Sequence, residues 1–422
     1  MIKSEVNLYV FAIFPDGEVL EVGRMLSRNL RQPGNFEGFF RYSPTYLNDP
    51  KAYAVDPVHL PLEDRVFAAA NGITGIHSVF DDSLPDSWGR HILARKGGIP
   101  GANYTPIHLL SVLRGGGLGR LLFSEQRRKP KFQDGSLEFG DIHFALEEAA
   151  KLEDSLDIET VEMRHLLACG SSAGGARPKV LTRKDNRKWI AKFASINDLH
   201  PRLMVSLEQA GMMLAGNVGL NVSEIERISV NNREILLVHR FDTTEPGGRN
   251  ALISLRTLIG AEDQYSVSYS DLAAIIRKFS RQPAEDLEQL YRQMMVNVLL
   301  VNTDDHLQNF SMLHTERGWS LSPAYDIAPN IFQNEQILTI NGKHSDISAE
   351  DLIAEGRKFG FSREKPQKIL TEVTEGLSGW EEAFKICEVP AKHTQRLRNE
   401  IKNRLKKIKA QVKAAKDRLE VR

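Results

Sequence analysis

The first segment reads as strands and turns. Leu8 to Phe14 is a β-rich apolar run, Pro15-Asp16-Gly17 is a turn signal, and Glu18 to Val22 resumes the strand, which together predict a hairpin. Loop-rich sequence with Pro33-Gly34 and the stretch Pro57 to Pro61 follows, then helical patterning over Ser87 to Arg95. The polar, basic segment Glu125-Gln-Arg-Arg-Lys-Pro-Lys131 predicts an exposed linker and the first boundary. Residues 141–168 predict an amphipathic helix that ends at Gly170. Val180-Leu181-Thr182 and Trp189 to Phe193 predict a strand pair around the turn Lys184-Asp185-Asn186. From Pro201 to Val218 the spacing is helical, with Leu203, Leu207, Ala210, Leu214 and Val218 on one face. Strands are expected near Val222 to Ile228 and Glu234 to His239. After Pro246-Gly247-Gly248 the pattern is helical almost to the end, most clearly over Glu285 to Val301, where Leu287, Leu290, Tyr291, Met294 and Val298 recur at helical spacing. No long internal repeat is visible. A β-rich half precedes an α-rich half, with a cleft expected between them.

Composition narrows the class. At 422 residues with 41% hydrophobic and 26% charged, the chain is globular and long enough for two or three structural units. Two cysteines, Cys169 and Cys387, exclude a disulfide framework or a thiolate metal cage. The first residues carry an apolar stretch too short and too interrupted for a signal peptide, and no run is long enough to span a membrane, so a reduced, soluble, cytoplasmic protein is expected. The 55 Lys and Arg cancel the 55 Asp and Glu, but the cancellation is uneven. Residues 391–422 hold 12 Lys and Arg against 3 Asp and Glu, a local charge of +9 that leaves residues 1–390 at −9. Leu397, Ile401, Leu405, Ile408, Val412 and Leu419 share one helical face there, predicting a helix with a basic outer side. Such a side is either a solvated face or a contact to nucleic-acid phosphates.

The candidate chemistry centres on Asn302-Thr-Asp-Asp-His-Leu-Gln-Asn309, directly after the clearest helix, with Asp326 seventeen residues further on. Asp, then Asn five residues later, then Asp after a short strand is the arrangement phosphoryl transfer needs. In that reading Asp304 takes the acceptor hydroxyl's proton, and Asn309 and Asp326 hold Mg²⁺ against the phosphates of ATP. Asp304 and Asn309 would serve equally to cap a helix and shape a turn. Two glycine-rich stretches compete for the phosphates. Arg114-Gly-Gly-Gly-Leu-Gly-Arg120 runs straight into the apolar Leu121-Leu-Phe123, whereas Gly170-Ser-Ser-Ala-Gly-Gly-Ala-Arg-Pro-Lys179 precedes the strand pair that ends in Lys192. Lys192 lies 17 residues past Gly175 and 73 past Gly119, so the second stretch reads as the phosphate loop and the first as a structural turn. Glu208, sixteen residues after Lys192 on the next helix, is either the carboxylate that holds that lysine or a solvated helix glutamate. The strand through His239 and Phe241 either offers its backbone to adenine or is a buried strand end. His306 reads as a structural hydrogen-bonding residue, since no second His or Cys sits at ligand spacing, and Cys169 reads as core filler.

These parts in this order resemble the HipA family of serine/threonine kinase toxins of bacterial type II toxin–antitoxin systems. Val22-Gly-Arg24 and Phe80-Asp-Asp-Ser-Leu-Pro-Asp86 resemble its N-terminal subdomain, Ser171 to Lys179 its glycine-rich loop, and Arg240-Phe-Asp242 its hinge. Asn302 to Phe310 and Tyr325-Asp-Ile327 resemble its catalytic and metal-binding segments. The resemblance implies an α+β, bilobal protein-kinase-like fold. Residues 1–130 would form a β-rich N-terminal subdomain, 131–245 a kinase-like N-lobe, and 246–422 an all-helical C-lobe. It implies Asp304 as catalytic base, Asn309 and Asp326 as magnesium ligands, and Lys192 as the ATP lysine, with Ser172, Ala173, Gly174, Gly175, Ala176 and Lys179 around the nucleotide. Ser172, or Ser171 before it, sits where an inhibitory autophosphorylation would add negative charge to the loop. The implied substrate is a protein such as an aminoacyl-tRNA synthetase, and the implied partner is a helix-turn-helix antitoxin that binds DNA. The basic C-terminal helix could assist that DNA contact, and the chain shows no convincing helix-turn-helix of its own. A small-molecule kinase, or a nucleotide-binding corepressor working with the antitoxin, are the alternatives on the same scaffold.

Overall fold

Strand β1 (Glu5–Ile13) buries every second residue from Val6 to Val10, then slips register at Val10/Phe11 and buries Phe11, Ala12 and Ile13 in succession. The bulge lets one strand pass from a one-sided to a two-sided environment. β1 pairs antiparallel with β2 (Val19–Arg28) across the expected hairpin, where Gly17 at φ 84° supplies the left-handed turn residue. β3 (Glu37–Tyr42), β4 (Phe67–Ala68) and β5 (Leu121–Ser124) complete a sheet of order β4-β3-β2-β1-β5. Short helices α1 (Pro44–Leu47) and α2 (Ser78–Asp81), then α3 (Ser87–Lys96) and α4 (Pro106–Leu113), accompany it. Phe40, Tyr42, Tyr46, Phe80 and Phe123 form a chain of ring contacts at 4.9–6.3 Å.

The computed structural model describes residues 4–70, 73–85, 87–99, 105–129, 135–154, 163–169, 178–195, 200–245 and 247–420. Its residues divide into two compact units. The first takes in Met1–Asn197, Ile228–Ile253 and Leu313–Glu316. The second takes in Asp198–Arg227, Ser254–Met312 and Arg317–Arg422.

The first unit holds a second sheet. Its strands are β6 (Leu137–Glu138), β7 (Lys179–Lys184), β8 (Arg187–Phe193), β9 (Ile225–Val230) and β10 (Arg233–His239), in the order β6-β7-β8-β10-β9, with β9 joining the unit at Ile228. One face is closed by α5 (Ile142–Asp154) and α6 (Arg164–Cys169), whose Ile142, Ala145, Leu146, Ala149, Leu152 and Leu166 pack on Val180, Trp189, Ala191, Phe193, Ile235 and Leu237. Two helices therefore stand where the sequence predicts a single helix over 141–168, and the residues between them lie outside those described. Glu148 accepts from the backbone N–H of His165 (3.3 Å) and Leu166 (2.6 Å), satisfying first-turn donors of α6 and fixing it against α5.

The second unit is built on α7 (Leu203–Asn217), α8 (Leu255–Ile259), α9 (Tyr269–Phe279), α10 (Pro283–Leu299), α11 (Ala349–Lys358), α12 (Lys365–Gly376), α13 (Trp380–Ile386) and α14 (Ala391–Glu420). α10 begins with Pro283 in its first turn followed by Glu285 and Asp286, a start that suits both the fixed proline φ and the helix dipole. α9 and α11 each open on a capping box, Ser268/Asp271 and Ser348/Asp351. α14 buries Leu397, Ile401, Leu405 and Ile408, the inward face that its periodicity predicts. Residues 246–422, expected to be all-helical, also hold three short strands, β11 (Ala251–Ser254), β12 (Ser311–Thr315) and β13 (Gly318–Leu321), and a non-helical stretch from 322 to 348. No helix among the described residues is long and apolar enough to cross a membrane.

Candidate functional site

α10 does not end on glycine. The backbone N–H of Asn302 donates to the carbonyl of Asn297 (2.8 Å) and that of Val301 reaches Val298 (3.4 Å), the paired closure of a helix whose next residue is left-handed. That residue is Val301, at φ 60°, a conformation costly for a β-branched side chain. The strain is held in place by neighbours. The Val301 carbonyl accepts from Asn330 N–H (2.8 Å), Asn302 Nδ2 donates to Asn297 Oδ1 (2.9 Å), and Asn330 Nδ2 donates to Thr303 Oγ1 (2.8 Å).

Asp304 follows that turn with its side chain 65% exposed, and His306 Nε2 stands 3.5 Å from its Oδ1. Asn309 is buried, and its Nδ2 donates to the Asp304 carbonyl (2.6 Å), which leaves Oδ1 as the amide's accepting end. Tyr325 joins the next segment to this one, since its hydroxyl donates to the Gln308 carbonyl (2.8 Å) and accepts from Ser311 Oγ (2.7 Å). Asp326, the next residue, is left-handed at φ 54°. The second unit thus brings Asp304, Asn309 and Asp326 onto segments bonded to one another. An amide oxygen and a carboxylate are the hard donors Mg²⁺ takes when phosphate oxygens complete its shell. Among the described residues no three of His, Cys, Asp and Glu converge on a point.

Asp305, which the sequence reading passes over, is the buried carboxylate of the pair. Its Oδ2 accepts from Tyr269 Oη (2.8 Å) and its Oδ1 from Ile337 N–H (2.7 Å), while Asn297 Nδ2 donates to Tyr269 Oη (3.0 Å). Burial pushes the Asp305 carboxyl above its ordinary range, against the pull of these donors. Asn297 is the signal available in the sequence, a polar residue on the apolar face of α10 beside Met294 and Val298. α7 also reaches the site: a Cβ on Gly211 would lie 2.2 Å from the Ile327 carbonyl oxygen. Glu208 stands one turn earlier on α7, half-buried.

The first unit carries the lysines. Lys179, Lys192 and Leu236 lie in one cross-strand row, and Leu181, Ile190 and Val238 in another, all on the sheet face opposite α5 and α6. Lys179 and Lys192 are thus direct Cα partners across β7 and β8. His239 ends β10 with its ring edge-on to Trp189 (5.3 Å), and Phe241 follows, half-buried. Ser171, Ser172, Ala173, Gly174, Gly175 and Ala176 lie outside the described residues, as does the side chain of Cys169.

The other glycine stretch is committed to the protein's interior. Buried Arg249 donates to the carbonyls of Gly115 (3.0 Å), Gly117 (2.7 Å) and Gly119 (3.1 Å), and Asp242 accepts from Gly119 N–H (2.7 Å). Arg240 pairs with Asp242 at 2.7 Å. Burial would raise the Asp242 carboxyl, but the Arg240 and Arg249 guanidiniums hold it down to about 2. A loop whose carbonyls and N–H are spent this way is a structural turn, and the hinge tripeptide 240–242 is part of its latch.

Family comparison matches residues 20–124 to the HipA N-terminal domain and residues 171–380 to the HipA-like C-terminal domain. The chain is 29% identical over 130 residues to "Putative kinase Y4mE" of Sinorhizobium fredii, covering 28% of this chain and 31% of that protein. It is 24% identical over 272 residues to a "Putative kinase" of Haemophilus influenzae, covering 53% of this chain and 78% of that one. It therefore spans about a third of the length of the first relative. Among solved structures, HipA of Shewanella oneidensis MR-1, determined with HipB and operator DNA, superposes with a TM-score of 0.69 at 17% identity, over 96% of this chain and 99% of that one. The α+β architecture expected from the sequence is the fold of that chain.

Proposed function

Since the chain belongs to the HipA family, we propose that it is a serine/threonine protein kinase, dependent on ATP and Mg²⁺, that acts as the toxin of a type II toxin–antitoxin pair. The observation that carries the reading is the anchoring of Asn309 to the Asp304 carbonyl, with Tyr325 tying the Asp326 segment to the residue before Asn309. Exposed Asp304 is free to receive an acceptor hydroxyl, accept its proton and orient the oxygen for attack on the terminal phosphoryl group. Asn309 and Asp326 would hold the Mg²⁺, which neutralises phosphate charge when bound. The row of Lys179 and Lys192 would face the phosphates, and the apolar row of Leu181, Ile190 and Val238 the base. Glu208 as the partner of Lys192, and the backbone at His239 and Phe241 as the adenine contact, belong to the same proposal. So does autophosphorylation at Ser172 or Ser171, which would place negative charge where nucleotide phosphates bind.

The acceptor we propose is a protein of the translation apparatus, such as an aminoacyl-tRNA synthetase. The partner we propose is a DNA-binding antitoxin, by analogy with the HipA solved together with HipB and operator DNA. Phosphopeptide mass spectrometry of cells expressing the chain, with Asp304→Asn as control, tests the reading. New phosphoserine or phosphothreonine on a host protein, absent with Asp304→Asn, is expected. Equal phosphorylation in both would remove Asp304 from the mechanism.

A further inference from the structure

The basic C-terminal helix has no role in the reaction as described so far, yet its cations are of two kinds. Lys402, Lys406 and Lys413 point to solvent. Arg404 turns inward, with its side chain only 16% exposed. Its Nε donates to Glu400 Oε1 (2.8 Å), its Nη1 to the Val298 carbonyl (2.8 Å) and its Nη2 to the Asn334 carbonyl (2.7 Å).

Those two carbonyls flank the catalytic turn. Val298 lies in the last turn of α10, three residues before strained Val301, and its carbonyl also receives the Val301 N–H (3.4 Å). Asn334 lies in the segment that returns to the turn from the far side. Within that segment Asn330 bonds Val301 and Thr303, Gln336 Nε2 donates to the Asn302 carbonyl (2.9 Å), and Ile337 N–H donates to Asp305. A second arginine of the helix converges on the same place. With the Asn334 amide oriented to satisfy both ends, its oxygen accepts from Arg396 Nη2 (3.2 Å) and its nitrogen donates to the Gln333 carbonyl (3.1 Å).

We propose that Arg404 is a positioning residue for phosphotransfer, bridging the end of α10 to the segment after Asp326 so that the strained turn at Val301 holds Asp304 in its productive place. The inference rests on the kinase reading. It gives the C-terminal helix a part in catalysis that does not depend on any nucleic acid. A planar fork can hold two carbonyls at once along with a carboxylate, and a lysine ammonium on a flexible stem cannot hold that geometry. Without the bridge, the strained turn loses one of the ties between α10 and the segment after Asp326, and a displacement near 1 Å at a catalytic base costs about a hundredfold in rate.

The test uses the full chain, with Arg404→Lys, Arg404→Ala, Lys406→Ala and Asp304→Asn compared for transfer of label from γ-labelled ATP to the chain itself and to dephosphorylated casein. Arg404→Lys is expected to lose about tenfold or more in kcat while KM for ATP stays within about twofold, the mark of a group that aids the transition state rather than nucleotide binding. Guanidinium ion at millimolar concentration should restore part of the rate to Arg404→Ala and none to the wild type. Lys406→Ala should match the wild type. Wild-type kcat in Arg404→Lys overturns the inference and leaves the kinase reading standing. So does a rate loss that tracks a fall in melting temperature and is not rescued by guanidinium. Transfer by wild type no greater than by Asp304→Asn overturns the kinase reading itself, and this inference with it.

Discussion

Gly211→Ala is a substitution whose sign the structure decides. In an ordinary helix interior it stabilises by about 1 kcal/mol, because alanine loses less backbone entropy than glycine. Here the added Cβ would sit 2.2 Å from the Ile327 carbonyl oxygen, and 3.0 Å from both the Ile327 carbonyl carbon and Pro329 Cδ. Backbone cannot rotate out of the way as a side-chain tip can, so α7 and the segment at Ile327 must part by about 1 Å to reach ordinary contact, at an overpacking cost of about 1–3 kcal/mol. Setting that against the helix gain, the variant should be less stable by about 0–2 kcal/mol, a melting decrease of at most about 8 °C. The functional effect should be larger. Ile327 follows Asp326 directly, so the same 1 Å displaces the proposed metal segment and should lower phosphotransfer by about a hundredfold. Thermal melts and a Mg²⁺ titration of phosphotransfer read the two effects separately. Gly216→Ala on the same helix is the control, since its Cβ would meet Val222 Cγ2 at an ordinary 3.5 Å and should only stabilise. A raised melting temperature with an unchanged rate in Gly211→Ala would refute the reasoning.

Asp305→Ala orphans the Tyr269 hydroxyl and the Ile337 N–H and should cost about 2–6 kcal/mol in denaturant unfolding, whereas an exposed Asp304→Ala should cost less than about 0.5. Because burial raises the Asp305 carboxyl, the native state holds its proton more tightly. Its stability contribution is complete below the ordinary value of 3.8 and declines as pH rises through the raised one, and Asp305→Asn should flatten that decline in a pH series of melts. Arg249→Lys replaces the planar fork that spans three buried glycine carbonyls with a single ammonium and should destabilise by about 2–4 kcal/mol, with wild-type stability in calorimetry counting against the latch.

What was legible in the sequence was what local rules govern. The turn at Gly17 fixed the first hairpin, and apolar spacing along Glu285–Val301 placed the helix that delivers Asp304. The separation of Gly119 from Lys192 correctly turned the first glycine stretch into a structural turn. The partner that makes it one, Arg249, lies 130 residues downstream, and no local pattern connects them. Neighbouring Asp304 and Asp305 look alike in sequence. Only tertiary contact with Tyr269 and Ile337 separates an exposed carboxylate from a buried one. The basic tail gave its inward face through periodicity, but the inward turn of one of its cations follows from two carbonyls supplied by distant segments.

The two-sidedness of α14 also sets what drift can do to it. Exchanging Lys402, Lys406 or Lys413 for neutral or acidic residues alters the field the protein projects without touching a carbonyl that Arg404 holds. That outer surface can be recharged toward a polyanion, away from one, or simply toward solubility, without disturbing the inner arginine's three acceptors. The outer charge and the inner bridge of one helix are therefore separable by substitution.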